Sequence, residues 1–275
     1  MYREEEAGGL SDRERERAEE RTRPPVRVIH EAIRREGQEE IKRASTGLAW
    51  SGFAAGLSMG FSLVAEGLLR FYLPNADWTP LIWRLGYAVG FLIVVLGRQE
   101  LFTETTLTAV VPLLSRRSIE TLLDTLRVWG IVLVANLAGA VLFAVVLADL
   151  HVFDTPVLEQ FAYIGTHAAE GSWGAIVIRG IFAGWLIALV VWLLPLAGAG
   201  RLWMIIILTY FVGLGSFSHI IAGSVEVMFA AIYGGVSWQH YLGGYLVPTL
   251  IGNTIGGASL VAALNTAQVA QSDHD

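Results

Sequence analysis

Gly213-Leu-Gly-Ser-Phe-Ser-His219-Ile-Ile-Ala-Gly223 places glycines, two serines and an imidazole inside an apolar run from Leu202 to Tyr233. At bilayer depth an imidazole loses water, so protein must hydrogen-bond it or the site must be wet. Glycine and serine clusters let a membrane helix unwind, but only where the freed backbone faces protein or a water-filled cavity. One reading is a glycine-kinked helix with a satisfied histidine; the other is a lined solute path. A second interruption, Gly97-Arg98-Gln-Glu100-Leu101-Phe102-Thr103-Glu104, lies in another apolar run. Glu104 and Glu226 are acids close to the two interruptions, and an acid at the bilayer centre costs about 2.5–3.5 kcal/mol on insertion scales. Arg98, Arg127 and Arg179 have no evident reason to face lipid, so the expectation is that Glu104 or Glu226 pairs with one of them. The alternatives are an acid near His219 that raises its pKa or carries protons, and an acid that faces the interface between protomers. Acids lining a path would repel anions and favour neutral or cationic solutes.

The elements that hold these residues follow from composition. The chain of 275 residues is 54% hydrophobic, and its charge is segregated: residues 1–43 hold 11 of the 19 Lys+Arg and 12 of the 25 Asp+Glu. A charge-depleted body with several long apolar runs is a polytopic, all-α membrane protein. With no cysteine, disulfide frameworks and thiolate metal sites are excluded. The reading calls for no metal and no cofactor, and a formal charge of −6 gives no reason to expect nucleic-acid binding. No cleavable signal peptide is visible, because the first apolar run begins behind the charged arm.

Residues 1–25 mix both signs densely and read as a disordered cytoplasmic tail. Over 26–45, Val28, Ile29, Ala32, Ile33 and Ile41 recur at helical spacing, which predicts an amphipathic helix, either at the membrane surface or plainly solvated. A channel domain over 46–267 and a short cytoplasmic tail over 268–275 complete the chain. The spans are expected at about Thr46–Leu69, at Leu81–Pro112 with a break, at Leu122–Leu147, at Ile176–Leu196, at Leu202–Tyr233 with a break, and at Tyr241–Leu264. Arg116, Arg117, Arg201 and the arm flank one side, while the Leu150–Gly171 loop and Gly234–His240 carry no Lys or Arg. Both termini are therefore expected in the cytoplasm, with Arg70 and Arg84 as exceptions.

An internal repeat organises the six spans. Asn136-Leu-Ala-Gly139 and Asn253-Thr-Ile-Gly256 are 117 residues apart, and the same offset carries Phe102 to His219. Three spans per half mean that the second half is inserted upside down relative to the first, with broken helices meeting near the midplane.

These residues resemble the formate/nitrite transporter family over about residues 30–265. The resemblance rests on Glu100-Leu101-Phe102-Thr103, Phe217-Ser218-His219-Ile-Ile-Ala, Arg179-Gly180-Ile181 with Trp185, and Gly252-Asn253-Thr-Ile-Gly256-Gly257. It implies an aquaporin-like protomer, a homopentamer in the inner membrane of a prokaryote, and a pore in each protomer for small monovalent anions such as formate or nitrite. It also implies His219 as the pore histidine, Thr103 as the threonine facing it, and apolar constrictions at Leu101, Phe102, Phe91, Ile187 and Val212. Histidine suits proton-linked passage because its ordinary pKa of about 6.5 lies near working pH. The sequence departs from the family pattern in three places. The usual vestibule lysine falls near His167, Ala168 and Ala169; the asparagine four residues after the histidine is Gly223; and Ser218 replaces an acid.

Three other functions are weighed, of which a purely structural membrane scaffold would have little use for two helix breaks in register. An intramembrane serine protease needs serine and histidine meeting across different helices with an oxyanion hole, whereas Ser216, Ser218 and His219 share one segment. A haem subunit needs paired deep histidines, but His30, His151, His167, His240 and His274 fall outside or at the ends of the spans. The chain is expected not to be an enzyme.

Overall fold

The computed structural model describes residues 25–150, 152–264 and 268, and every regular element among them is helical. His151 and nearly all of the two expected tails lie outside the described residues. Helix α1 (Val26–Glu40) precedes α2 (Ser45–Tyr72), the first span. At 28 residues, α2 is about 42 Å long, enough to cross a bilayer. The second span starts with short turns at Pro80–Trp83 and Arg84–Tyr87, continues as α3 (Ala88–Leu96), breaks, and resumes as α4 (Phe102–Thr108) and α5 (Val110–Arg116). The third span is α6 (Ile119–Asp149), begun by Ser118, whose hydroxyl accepts from the Thr121 N–H.

The stretch expected as a loop after α6 contains a helix, α7 (Thr155–Ala168), with Val157, Leu158, Phe161, Ile164 and Gly165 buried. These positions recur at helical spacing, so α7 covers the bundle with an apolar stripe. The fourth span is α8 (Trp173–Leu193), and the fifth is α9 (Arg201–Leu214), a break, and α10 (Ala222–Ile232). The sixth is α11 (Val247–Thr254), flanked by wide π-type turns over His240–Leu246 and Ile255–Ala263. Pro248 has no N–H to donate to the preceding turn, which fits the widened geometry there. By length and composition, Ser45–Tyr72, Ile119–Asp149 and Trp173–Leu196 can each cross a membrane as one helix, while the two broken spans are built of shorter pieces.

The halves pack alike. Gly56 of α2 lies against the Asn136 carbonyl of α6, and Gly184 of α8 lies against the Asn253 carbonyl of α11. A Cβ at either glycine would collide with backbone, so the close approach that positions both asparagines depends on these residues. Helix α1 docks through Ile29, Ile33, Gly37 and Glu40. Gly37 sits against the Thr108 carbonyl, a carbonyl left without its usual helical donor because residue 112 is proline.

Candidate functional site

Both breaks use one backbone design. Helix α3 ends with Gly97 N–H donating to Ile93 O, Arg98 to Val95 O and Gln99 to Val94 O; α9 ends with Gly215 donating to Phe211 O, Ser216 to Gly213 O and Phe217 to Val212 O. This is a Schellman cap in both cases, with the left-handed position filled by Arg98 (φ 51°) and Ser216 (φ 50°) rather than glycine. Two asparagines then hold the unwound backbone. Asn136 Oδ1 accepts from the Phe102 N–H (2.9 Å) while its Nδ2 donates to Glu100 O (2.9 Å) and Gly52 O (2.7 Å). Asn253 Oδ1 accepts from the Ile220 N–H (2.8 Å), and its Nδ2 donates to Ser218 O (2.8 Å) and Gly180 O (2.9 Å).

This pairing corrects the sequence register. Phe102 corresponds to Ile220, and Leu101 to His219, an offset of 118 residues, although the asparagines themselves are 117 apart. The breaks carry one residue of slippage relative to the clamping helices, which matching on Asn-x-x-Gly alone cannot reveal.

Thr103 and His219 come together at the junction of the breaks. Thr103 Oγ1 and His219 Nε2 are 2.9 Å apart, and both residues are fully buried. His219 Nδ1 accepts from the backbone N–H groups of Ile221 (3.2 Å) and Ala222 (3.2 Å). The imidazole thus caps α10, satisfying donors that a helix start leaves without partners. A ring nitrogen accepting two N–H bonds holds no proton, so the network assigns the hydrogen to Nε2, which donates to Thr103 Oγ1. The Thr103 O–H is then left to act as a donor itself.

The five residues expected at constrictions are all buried in one core cluster. Phe91 meets the His219 ring edge-on at 5.0 Å, but Phe102 turns its ring to Trp129 at 5.9 Å.

The expected pairing of Glu104 or Glu226 with Arg98, Arg127 or Arg179 is not what the structure contains. Arg98 reaches Glu36 (3.2 Å), Arg127 donates to Ile41 O (2.6 Å), and Arg179 donates to Glu170 O (2.7 Å). These arginines stand at the ends of the bundle, where α1 and loop carbonyls are nearer than either acid. Glu104 and Glu226 each keep a buried Oε1 without a hydrogen-bond partner. The ion pair at depth is instead Arg84 with Glu66, 3.1 Å apart, the glutamate being fully buried. Its trace in the sequence is faint: an arginine breaking the charge asymmetry and an acid late in the first span.

Two cavities flank the junction. On the side of α1, about 570 Å³ is bounded by Glu36, Glu40, Glu100, Glu104, Arg98 and Arg201 among others. Glu100 pairs with Arg43 and Glu40 accepts from the Thr108 hydroxyl. Burial, and then the charge of Glu100, push the Glu40 carboxyl up to about 8, partly offset by the Thr108 hydrogen bond. On the far side a cavity of only about 20 Å³ lies among Arg84, His167, Ser216, Ser218, Glu226 and Tyr245. A Cβ on Gly223 would strike the Tyr245 hydroxyl, so that phenol fills the space of the missing side chain.

Two inverted halves with interlocking helix breaks and a flanking cavity at each end define a membrane channel or transporter. The sequence pattern of the formate/nitrite transporter family matches residues 27–267, and the chain belongs to that family. It is 36% identical to the inner membrane protein YfdC of Escherichia coli over 251 residues, covering 91% of this chain and 81% of that one. It is 27% identical to the formate channel BtFdhC of Bacillus thuringiensis, covering 85% and 91%. A solved pentameric formate channel with formate bound has the same fold, with a TM-score of 0.72 at 19% identity over 83% of this chain and 99% of that one. The chain is a membrane transport protein and not an enzyme.

Proposed function

We propose that the chain conducts small monovalent weak-acid anions, formate or nitrite being the leading candidates, along a path through the Thr103–His219 junction. The observation that carries this is the 2.9 Å contact between Thr103 Oγ1 and His219 Nε2, placed where the two breaks abut in a member of this family. The path is narrowed by Leu101, Phe91, Ile187 and Val212, with Phe102 supporting from behind. An ion crossing such an apolar collar loses its hydration, so passage as the neutral acid removes most of the cost. His219 orients the Thr103 hydroxyl, which donates to the passing oxygen. The protein acts as a homopentamer in the cytoplasmic membrane of a prokaryote, with both termini and α1 on the cytoplasmic side. That assignment is supported by Arg116, Arg117 and Arg201 near the same face.

A second reading, a pore for a neutral or cationic solute, is favoured by the unpartnered carboxyl oxygens of Glu104 and Glu226. Proteoliposome uptake of labelled formate and nitrite across a pH series decides between them. Flux in the wild type that falls at least tenfold in His219→Ala and Thr103→Val is expected. Uptake unchanged by His219→Ala removes the histidine from the mechanism, and flux of ammonium or glycerol without formate establishes the second reading.

A further inference from the structure

The far-side cavity has no part in the reading above, yet it is lined by a buried carboxyl beside an arginine. Glu226 is 4% exposed and lines the cavity, and its Oε1 has no hydrogen-bond partner. Gly223 and Glu226 are three residues apart and share one face of α10, and His219 caps the start of that helix. Between the imidazole and the carboxyl, Gly223 contributes no side chain and the Tyr245 hydroxyl takes its place, 3.4 Å from His219 O. The cavity volume of about 20 Å³ accommodates one water, which needs about 10–15 Å³ and polar partners.

Charge counting shows what the cluster must contain. Arg84 is already bonded to Glu66, and it is the cation beside two buried carboxyls. Facing Glu226 are Glu66 from α2, Arg84 and Tyr87 from the turn before α3, His167 from α7 and Tyr245 from the sixth span, with Tyr241 and Arg179 of α8 acting on Tyr245. Helix α6, which also packs against α10, has no charged residue between Arg127 and Asp149. One guanidinium balances one carboxylate, and the second carboxyl is accommodated by holding a proton, as in other carboxyl pairs that cannot both ionise. His219 cannot serve as that store while its Nδ1 caps α10.

We infer that Glu226, with Arg84 and Tyr245, forms a proton-exchange site that hands a proton, through the one water its cavity holds, to a weak-acid anion arriving at the far-side mouth of that cavity. This rests on the weak-acid reading of the function. In the step, the Glu226 O–H bond breaks and an O–H bond forms on the carboxylate or nitrite oxygen. The neutral acid moves on past Phe91 and Thr103, and the Glu226 carboxylate is left beside Arg84. A proton from far-side water, relayed through the water-sized cavity, restores the starting state. Arg84 thus supplies the positive charge that no lysine provides near His167, and Glu226 supplies the proton.

The test pairs infrared difference spectroscopy with formate uptake in proteoliposomes, on wild type, Glu226→Gln and Glu226→Asp. A carboxylic C=O band in the wild type, sensitive to deuterium oxide, absent in Glu226→Gln and shifted in Glu226→Asp, is expected. Uptake in the wild type should fall as far-side pH rises. Glu226→Gln should lose at least tenfold of the rate together with the pH dependence, and Glu226→Asp should regain the dependence. Absence of the band at every pH overturns the inference, whatever the flux. Formate flux with one pH profile in all three proteins overturns the inference and leaves the weak-acid reading standing. A band without any formate or nitrite flux from the wild type overturns that reading and the hand-over with it.

Discussion

The two helix breaks have the same skeleton and opposite surroundings. Each ends in a left-handed non-glycine residue and each is held by an asparagine making three backbone bonds. The first break carries Arg98, Gln99 and Glu100 and opens onto a cavity of about 570 Å³, whereas the second carries Ser216, Phe217 and Ser218 beside about 20 Å³. The backbone scaffold is therefore duplicated while the chemistry is not. At equivalent positions the first break has Leu101 and the second His219, so the proton-bearing ring belongs to one half only. A symmetric frame with unlike side chains lets each half bring one polar group to the junction, Thr103 from the first break and His219 from the second.

The largest expected effect tests how equal the clamps are. Replacing Asn253 by leucine leaves Ile220 N–H and Ser218 O without partners in a dry site and strips a second bond from Gly180 O, which keeps its helical donor within α8. Each buried group left unmade costs about 1–3 kcal/mol, so the loss is on the order of 2–6 kcal/mol. Asn136→Leu strips the same number of bonds, but the Glu100 carbonyl is only part-buried and water from the larger cavity can replace the lost donor. Thermal unfolding in detergent should therefore show Asn253→Leu as the more damaging change. Equal losses would mean that the first break is as dry as the second.

Much of this asymmetry was readable before the structure, and the unreadable part has a physical origin. Six spans, two interruptions and the asparagine pairs follow from hydropathy and short spacings, which are local. Thr103 meeting His219 was implied by the family resemblance and not by spacing. The register slip of one residue was hidden because helices can change pitch between a break and its clamp. Arg84 with Glu66 and Tyr245 beside Gly223 were hidden for another reason. Each joins residues on different spans, and nothing local distinguishes Arg84 from Arg98 as the partner of a buried acid.

A second expected effect concerns the cover over the first break, which the second break lacks in charged form. Glu40 on α1 is 7% exposed, and its carboxyl is raised from 4.5 to about 8 when the helix is docked. A raised carboxyl favours the docked state in its protonated form, so this contribution is full below about 4.5 and is lost as pH rises through about 8. The chain has no cysteine, so a spin label at Val28→Cys, an exposed position on α1, reports docking cleanly. Its mobility should increase as pH passes through about 8, and Glu40→Gln should flatten that response. Mobility that increases on acidification would reverse the sign and point to a different group.

The smallest expected effect returns to the left-handed residues themselves. A non-glycine residue in this conformation costs roughly 1–2 kcal/mol, while glycine adds about 0.5–1 kcal/mol of backbone entropy in the unfolded chain. Ser216→Gly should thus stabilise by about 0.5 kcal/mol, less whatever the 3.4 Å contact with Arg84 contributes. Arg98→Gly gives up a pair with Glu36 in which the side chains are 83% and 52% exposed, and exposed pairs are worth little. Both substitutions should raise the melting temperature slightly, with Arg98→Gly gaining the more. If Ser216→Gly instead lowers it while Arg98→Gly does not, the serine hydroxyl is holding Arg84 in place. The strain at the second break would then be retained for the far-side charge cluster, whereas Arg98 at the first break, paired only with an exposed glutamate, would be the one free to relax.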